Sequence, residues 1–305
     1  MLRAAQLYYH ADLTQDAIGK RLGVSRFKVG RLLDRAIREQ AVRIEIVHPA
    51  ARLVALEDAL TDRFGLTEAV VVDVPAPDDE QLARERVADA AAELLGAVAP
   101  SGVIGVSWGR TMIELAARLQ PGWTGADQIV QLNGAISRSA QPTRYQEVVE
   151  RFGTSTGATI QLMPAPAIVG TAGLREALEA DPSVAEPLKA ARGATSAVFG
   201  MGVMGAASVH ATSGYLDRRE LKRLEQAGAV GDVLGRFITI EGRTALPSLD
   251  ERTVGLPLAE LCGKRTIGLA AGPGRGPIAL AALRAACMKT LVTDETTAEW
   301  VLAND

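Results

Sequence analysis

From residue 69 to the C-terminus, short apolar runs alternate with longer amphipathic stretches, and this alternation most narrowly limits the fold. The strand-like runs are Ala69–Val74, Val103–Ser107, Ile129–Leu132, Ile160–Met163, Ala197–Gly200, Phe237–Ile240, Thr266–Ala270 and Thr290–Thr293. Helical patterns lie between most of them, including a long helix from about Glu80 to Val98 behind the loop Pro75-Ala76-Pro77-Asp78-Asp79. Strands separated by helices build a largely parallel sheet, because each parallel connection must cross back over a face of the sheet. The predicted body is a Rossmann-like α/β domain whose ligands bind outside the carboxyl ends of the strands.

The first 50 residues follow a different pattern. They carry nine Lys and Arg against five Asp and Glu, a balance of +4, while residues 51–305 carry 24 against 31, a balance of −7. Phosphate contacts need local positive charge, so a basic end on an acidic body suits a nucleic-acid-binding head. Charge alone is equally compatible with random variation over a short window. The helix signals decide between the two. A first helix covers Ala4–Tyr9. Thr14 caps a second that runs through Ile18 and Leu22 and stops at Gly23. Ser25 caps a third, from Arg26 to about Gln40, in which Val29, Leu32, Leu33, Ala36 and Ile37 form one apolar stripe. A short strand is expected at Val42–Ile46.

The spacing Gly19, Gly23, Val29 is that of a helix-turn-helix: a small residue at the crossing, a glycine in the turn and an apolar anchor in the second helix. Gly19 is a mild departure from the alanine more common there, and slightly weakens its helix. The start of the second helix of such a motif approaches base edges in the major groove. Ser25, Arg26, Lys28 and Arg31 are therefore the candidate DNA contacts, with Gln15 a candidate phosphate contact at the preceding helix start. The competing reading is a three-helix bundle that binds protein or dimerises. The expected domains are 1–50, binding DNA, and 51–305, binding an effector and forming an oligomer. The stripe Leu53, Leu56, Leu60 and Phe64 would join them and offer a surface for self-association.

In the body, Gly105-Val106-Ser107-Trp108-Gly109-Arg110-Thr111 links a strand directly to a helix. Gly109 permits an anion to approach backbone amides, Ser107 and Thr111 add hydroxyls, and the helix start supplies a favourable dipole. No Gly-Lys-Ser/Thr follows and the GxGxxG spacing is missing, so this is neither a Walker loop nor a dinucleotide fingerprint. An ordinary strand-to-helix turn is the bland alternative. A nucleophile elbow (Gly105, Ser107, Gly109) is disfavoured, since it needs a later acid and then a histidine, and His210 is the only histidine downstream. Further candidate ligand contacts are Asn133 and Gly134, Gly202 in a glycine-rich loop, and Arg275, whose guanidinium can hold a phosphate bidentately. Asp294 most simply caps the last helix.

Composition excludes several classes. With 305 residues, about two domains are expected. Aromatic residues make up only 4%, which leaves the core to Ala, Val and Leu and argues against a surface that stacks several bases. No run approaches the roughly 20 apolar residues of a membrane span. The start Met1-Leu2-Arg3-Ala4-Ala5-Gln6 has no signal core, so a cytoplasmic protein is expected. Cys262 and Cys287 suit a reducing interior, and His10, His48 and His210 are far apart, so neither metal nor other cofactor is expected.

Together these segments resemble the SorC family of bacterial sugar-responsive transcription regulators. The resemblance rests on the head from Leu7 to Leu33, on residues 105–111, on Gly228-Ala229-Val230-Gly231-Asp232 and on Leu291-Val292-Thr293-Asp294-Glu295, and covers nearly the whole chain. It implies an effector domain with the fold of sugar-phosphate isomerases and deaminases, a phosphorylated sugar or polyol as effector, and a homotetramer or homodimer on double-stranded operator DNA. The family's phosphate loop falls on Ser107, Gly109 and Thr111. Where many members have a lysine after the last glycine loop, this chain has Arg275, which keeps the charge but excludes Schiff-base chemistry. The expected function is a DNA-binding regulator without enzymatic activity. The alternative is a sugar-phosphate isomerase or deaminase with an accessory head, for which no base stands out beside the phosphate loop.

Overall fold

The structure, a computed structural model, describes the whole chain except residues 10, 12, 39, 40, 43–51, 136–145 and 207. The strand expected at Val42–Ile46 lies mainly outside the described residues. The chain divides into two compact units, Met1–Pro49 and Ala50–Asp305.

In the first unit, helices Leu2–Tyr9, Gln15–Leu22 and Arg26–Arg38 enclose a small core of Ala4, Ala5, Ile18, Val29, Leu33 and Ala36. The local signals act as their chemistry dictates. Thr14 Oγ1 accepts a hydrogen bond from the Ala17 amide at 3.3 Å, and Gly23 closes the second helix in the left-handed region at φ 64°. A Cβ on Gly19 would lie 2.7 Å from the Val24 carbonyl oxygen. The expectation of Gly19 as a mild departure is corrected by this contact: here even a methyl group is too large.

The second unit is built on strands β1 (Glu68–Val72), β2 (Gly102–Val106), β3 (Ala126–Gln131), β4 (Thr159–Gln161), β5 (Ser196–Val203), β6 (Ala229–Val233), β7 (Arg236–Thr239), β8 (Arg265–Ala270) and β9 (Thr290–Asp294). Seven of them form a parallel sheet in the order β1-β9-β8-β5-β2-β3-β4. Both faces are buried: Ala69 and Val71 join one core cluster, and Val70 and Val72 join another. Residues Met201–Val203 of β5 run past the parallel sheet and pair antiparallel with β6, which turns back into β7. Leu60 is buried in the body core, and Leu53, Leu56 and Phe64 pack against it partly buried. The Glu57 carboxylate in the same helix takes the Val71 amide at 2.9 Å and Arg52 at 2.8 Å, fastening the helix to β1.

This topology fixes where a ligand can bind. From β2 the chain moves outward to β3 and β4, whereas from β5 it moves the opposite way to β8 and β9. The gap beyond the carboxyl ends of β2 and β5 is thus the point where the strand order reverses, the usual ligand crevice of an open α/β sheet.

Candidate functional site

That crevice exists and holds about 560 Å³ of space unoccupied by atoms, part of it open to solvent. Ser107, Trp108, Gly109, Arg110 and Thr111 line its β2 side, joined by Asn133 from beyond β3, Gly202 from β5 and Arg275. Eight of the nine body residues singled out from sequence therefore line one cavity. The ninth, Gly134, does not line it; its carbonyl accepts the Trp108 indole N–H at 2.8 Å and holds that ring in place.

Gly109 is the hinge of the β2 side. Its backbone, at φ 146° and ψ 171°, lies in a region essentially reserved for glycine, and a Cβ there would meet nothing within 4 Å. Its requirement is thus one of backbone conformation. The next helix, Arg110–Arg118, makes its first internal bond from the Ile113 amide to the Gly109 carbonyl at 3.0 Å. The amides ahead of Ile113 are not spent within the helix, and the crevice lies at this positive end. Ser107 braces the loop by accepting the Gly200 amide of β5 at 3.2 Å.

Arg275 departs from expectation. It is only 5% exposed, donating Nη1 to the Met201 carbonyl at 2.6 Å and Nη2 to Glu80 Oε1 at 3.1 Å. Its fork is committed to the protein, leaving buried Nε without a hydrogen-bond partner, so a bidentate phosphate grip needs rearrangement. Burial pushes its pKa down, against the pull of Glu80. Burial also pushes the Glu80 carboxyl up, but Arg84, Arg110 and Arg275 together hold it below its ordinary value. Three guanidiniums thus act on one carboxylate beside the crevice.

The sequence reading missed His210 and Asp232, which face the same space. His210 Nε2 lies 3.0 Å from Asp232 Oδ2, and that oxygen also accepts the Gly235 amide at 2.9 Å. Asp232 sits on β6, which reaches the crevice only by pairing with the extended end of β5. His210 Nδ1 and Asn133 Oδ1 are buried without hydrogen-bond partners. Buried polar atoms are normally paired, and three residues lining this crevice, His210, Asn133 and Arg275, each keep one that is not. The fold thus brings a histidine that the sequence did not place there beside the loop, its ring 5.4 Å from that of Trp108. The signal available was Gly231-Asp232, noted only as a motif. The Ser107 hydroxyl is engaged with β5, and the acid follows the histidine in the chain, so the arrangement does not follow the elbow enzymes' order.

In the head, Ser25, Arg26, Lys28 and Arg31 are all exposed at the start of helix Arg26–Arg38, and Gln15 is half-buried. Ser25 Oγ caps the helix by accepting the Lys28 amide at 3.3 Å, which ties its side chain to a structural role. The three cations project outward over about a turn and a half, as a phosphate-facing surface requires.

Comparison with known proteins identifies the family. The family described as "Putative sugar-binding domain" matches residues 48–303. The deoxyribonucleoside regulator of Bacillus subtilis is 31% identical over 100% of this chain and 97% of its own length. The transcriptional regulator LsrR of Klebsiella pneumoniae is 32% identical over 99% of this chain and 92% of its own. The full-length sorbitol operon regulator SorC from Klebsiella pneumoniae superposes with a TM-score of 0.73 at 27% identity, covering 99% of this chain and 97% of that one. The chain belongs to the SorC family of sugar-binding transcriptional regulators. The α/β body and the helix-turn-helix head are therefore the family's own architecture. Among the described residues no helix is long and apolar enough to cross a membrane.

Proposed function

We propose that the protein is a cytoplasmic, DNA-binding transcriptional regulator whose operator affinity is set by a phosphorylated sugar or polyol in the β2–β5 crevice. The observation that carries this reading is the glycine-only conformation of Gly109, which aims a helix start into a polar cavity at the strand-order reversal. The phosphate sits against the amides around Gly109 with the hydroxyls of Ser107 and Thr111. The sugar hydroxyls meet Asn133 and the His210–Asp232 couple. Arg26, Lys28 and Arg31 hold operator DNA, with Gln15 on the backbone, and the chain works as a homodimer or homotetramer. The ligand alters DNA affinity by the difference in its own affinity for two quaternary arrangements, typically about 1–3 kcal/mol of coupling. A thermal-shift screen of phosphorylated sugars and polyols against their dephosphorylated forms tests this. A true ligand at about 100 times its Kd stabilises by roughly 2.7 kcal/mol, and its dephosphorylated form does far less. A screen in which only dephosphorylated sugars stabilise the protein refutes the phosphate assignment.

The His210–Asp232 couple favours one second reading, a sugar-phosphate isomerase or deaminase, because it places a candidate base in the crevice. Incubation of the ligand with the protein, followed by product analysis, separates the two. The regulator reading requires the ligand to be recovered unchanged.

A further inference from the structure

The chain has five phenylalanines. Phe152, Phe199 and Phe237 are buried and Phe64 packs against the body core, whereas Phe27 is 74% exposed. It is the most exposed large apolar side chain among the described residues. Phe27 stands at the second position of helix Arg26–Arg38, where side chains lean towards the helix start and beyond it. Its helical neighbours one turn on are Gly30, which has no side chain, and the exposed Arg31. Arg26 lies with its guanidinium carbon 5.3 Å from the Phe27 ring centroid, a cation–π contact that holds the ring beside the charge.

An apolar ring flanked by Arg26, Lys28 and Arg31 suits few partners. A second copy of the same face would bring like charges together, and an apolar protein surface would strand the three cations. A DNA major groove satisfies both demands at once, because phosphates line its edges and the thymine C5-methyl is the one apolar group on its floor. We propose that Phe27 reads a thymine methyl in the operator half-site, making it a specificity-determining residue of the head. The inference rests on the placement of helix Arg26–Arg38 in the major groove.

The test uses the full-length chain and duplexes that it selects from a random-sequence library. Each thymine of the selected site is replaced singly by deoxyuridine, which removes one methyl and leaves base pairing intact, and affinity is read by fluorescence anisotropy. The wild type should lose about fourfold at one position per half-site, the effect of withdrawing one methyl from an apolar contact. Phe27→Ala should bind the thymine duplex more weakly and no longer distinguish the two duplexes, while Phe27→Leu keeps part of the preference. Arg26→Ala and Lys28→Ala, by contrast, should weaken binding while keeping the thymine preference. If those two variants weaken binding but Phe27→Ala keeps the wild-type deoxyuridine loss, the role of Phe27 is wrong and the helix placement stands. If none of the three variants changes binding, both are wrong. A Phe27→Ala protein that changes sedimentation mass but not DNA affinity assigns the ring to a contact between copies and overturns the proposal.

Discussion

Replacement of Gly109 by alanine and by aspartate separates backbone strain from charge at the proposed phosphate cradle. The position has φ 146° and ψ 171° with nothing within 4 Å of an added Cβ, so alanine meets no clash and pays only for the conformation. Holding a non-glycine residue in that region costs about 1–3 kcal/mol. A domain of this size moves roughly 2–4 °C per kcal/mol, which gives a fall in Tm of about 2–12 °C. Gly109→Asp carries the same strain and adds a carboxylate where the ligand's phosphate belongs. One unit-charge pair at about 4 Å in an effective dielectric of 20 repels by about 4 kcal/mol, close to a thousandfold in affinity. Differential scanning fluorimetry gives the first quantity, and calorimetric titration with the ligand from the screen gives the second. The two variants should share a Tm within a few degrees, yet Gly109→Ala should bind measurably and Gly109→Asp should not. A folded Gly109→Asp protein that binds as tightly as Gly109→Ala refutes the cradle.

Thr111→Val, nearly the same shape without the hydroxyl, should cost ligand affinity about 1–3 kcal/mol by calorimetry with little change in Tm. Arg236 donates to the carbonyls of Thr253, Gly255 and Leu256 and pairs with Asp250 at 2.8 Å. Arg236→Ala should therefore lose roughly 3–5 kcal/mol in chemical denaturation, through stranded buried acceptors. The Glu80 carboxyl, raised by burial but held below its ordinary value of 4.5 by Arg84, Arg110 and Arg275, makes a contribution that is complete above that pH. It is lost as pH falls through the lowered value, so wild-type Tm should drop more steeply below pH 4.5 than that of Glu80→Gln. Equal slopes would show that the charge of Glu80, facing Arg84, Arg110 and Arg275, adds nothing to stability.

Local chemistry was legible where one short segment carried the whole signal. The helix Glu80–Val98 stands at its expected place behind the Pro/Asp loop, whose last residue, Asp79, caps it. Asp294 caps the last helix as read, taking the Thr297 amide at 2.9 Å. The strand β6 went unread because Ala229-Val230-Gly231-Asp232-Val233 looks like a glycine turn until the overhang of β5 offers it a partner. His210 and Asp232 were lost with it, since they are 22 residues apart and meet only through that hairpin. The sequence shows Arg275 as a cation free to face a ligand because its partner Glu80 lies 195 residues earlier in the chain. Gly134 is adjacent to Asn133 in sequence, yet only the asparagine lines the crevice.

The central claim is that a phosphorylated ligand in the crevice changes the grip of the head on DNA. Operator affinity of the full-length protein, measured by anisotropy with and without the screened ligand and with its dephosphorylated form, tests it most directly. A coupling of about 1–3 kcal/mol predicts a change of roughly 5–150-fold with the phosphorylated ligand, in one direction, and little with the dephosphorylated form. The change should vanish in Gly109→Asp while its ligand-free operator affinity stays near wild type. An operator affinity that ignores a ligand known from calorimetry to be bound would contradict the account.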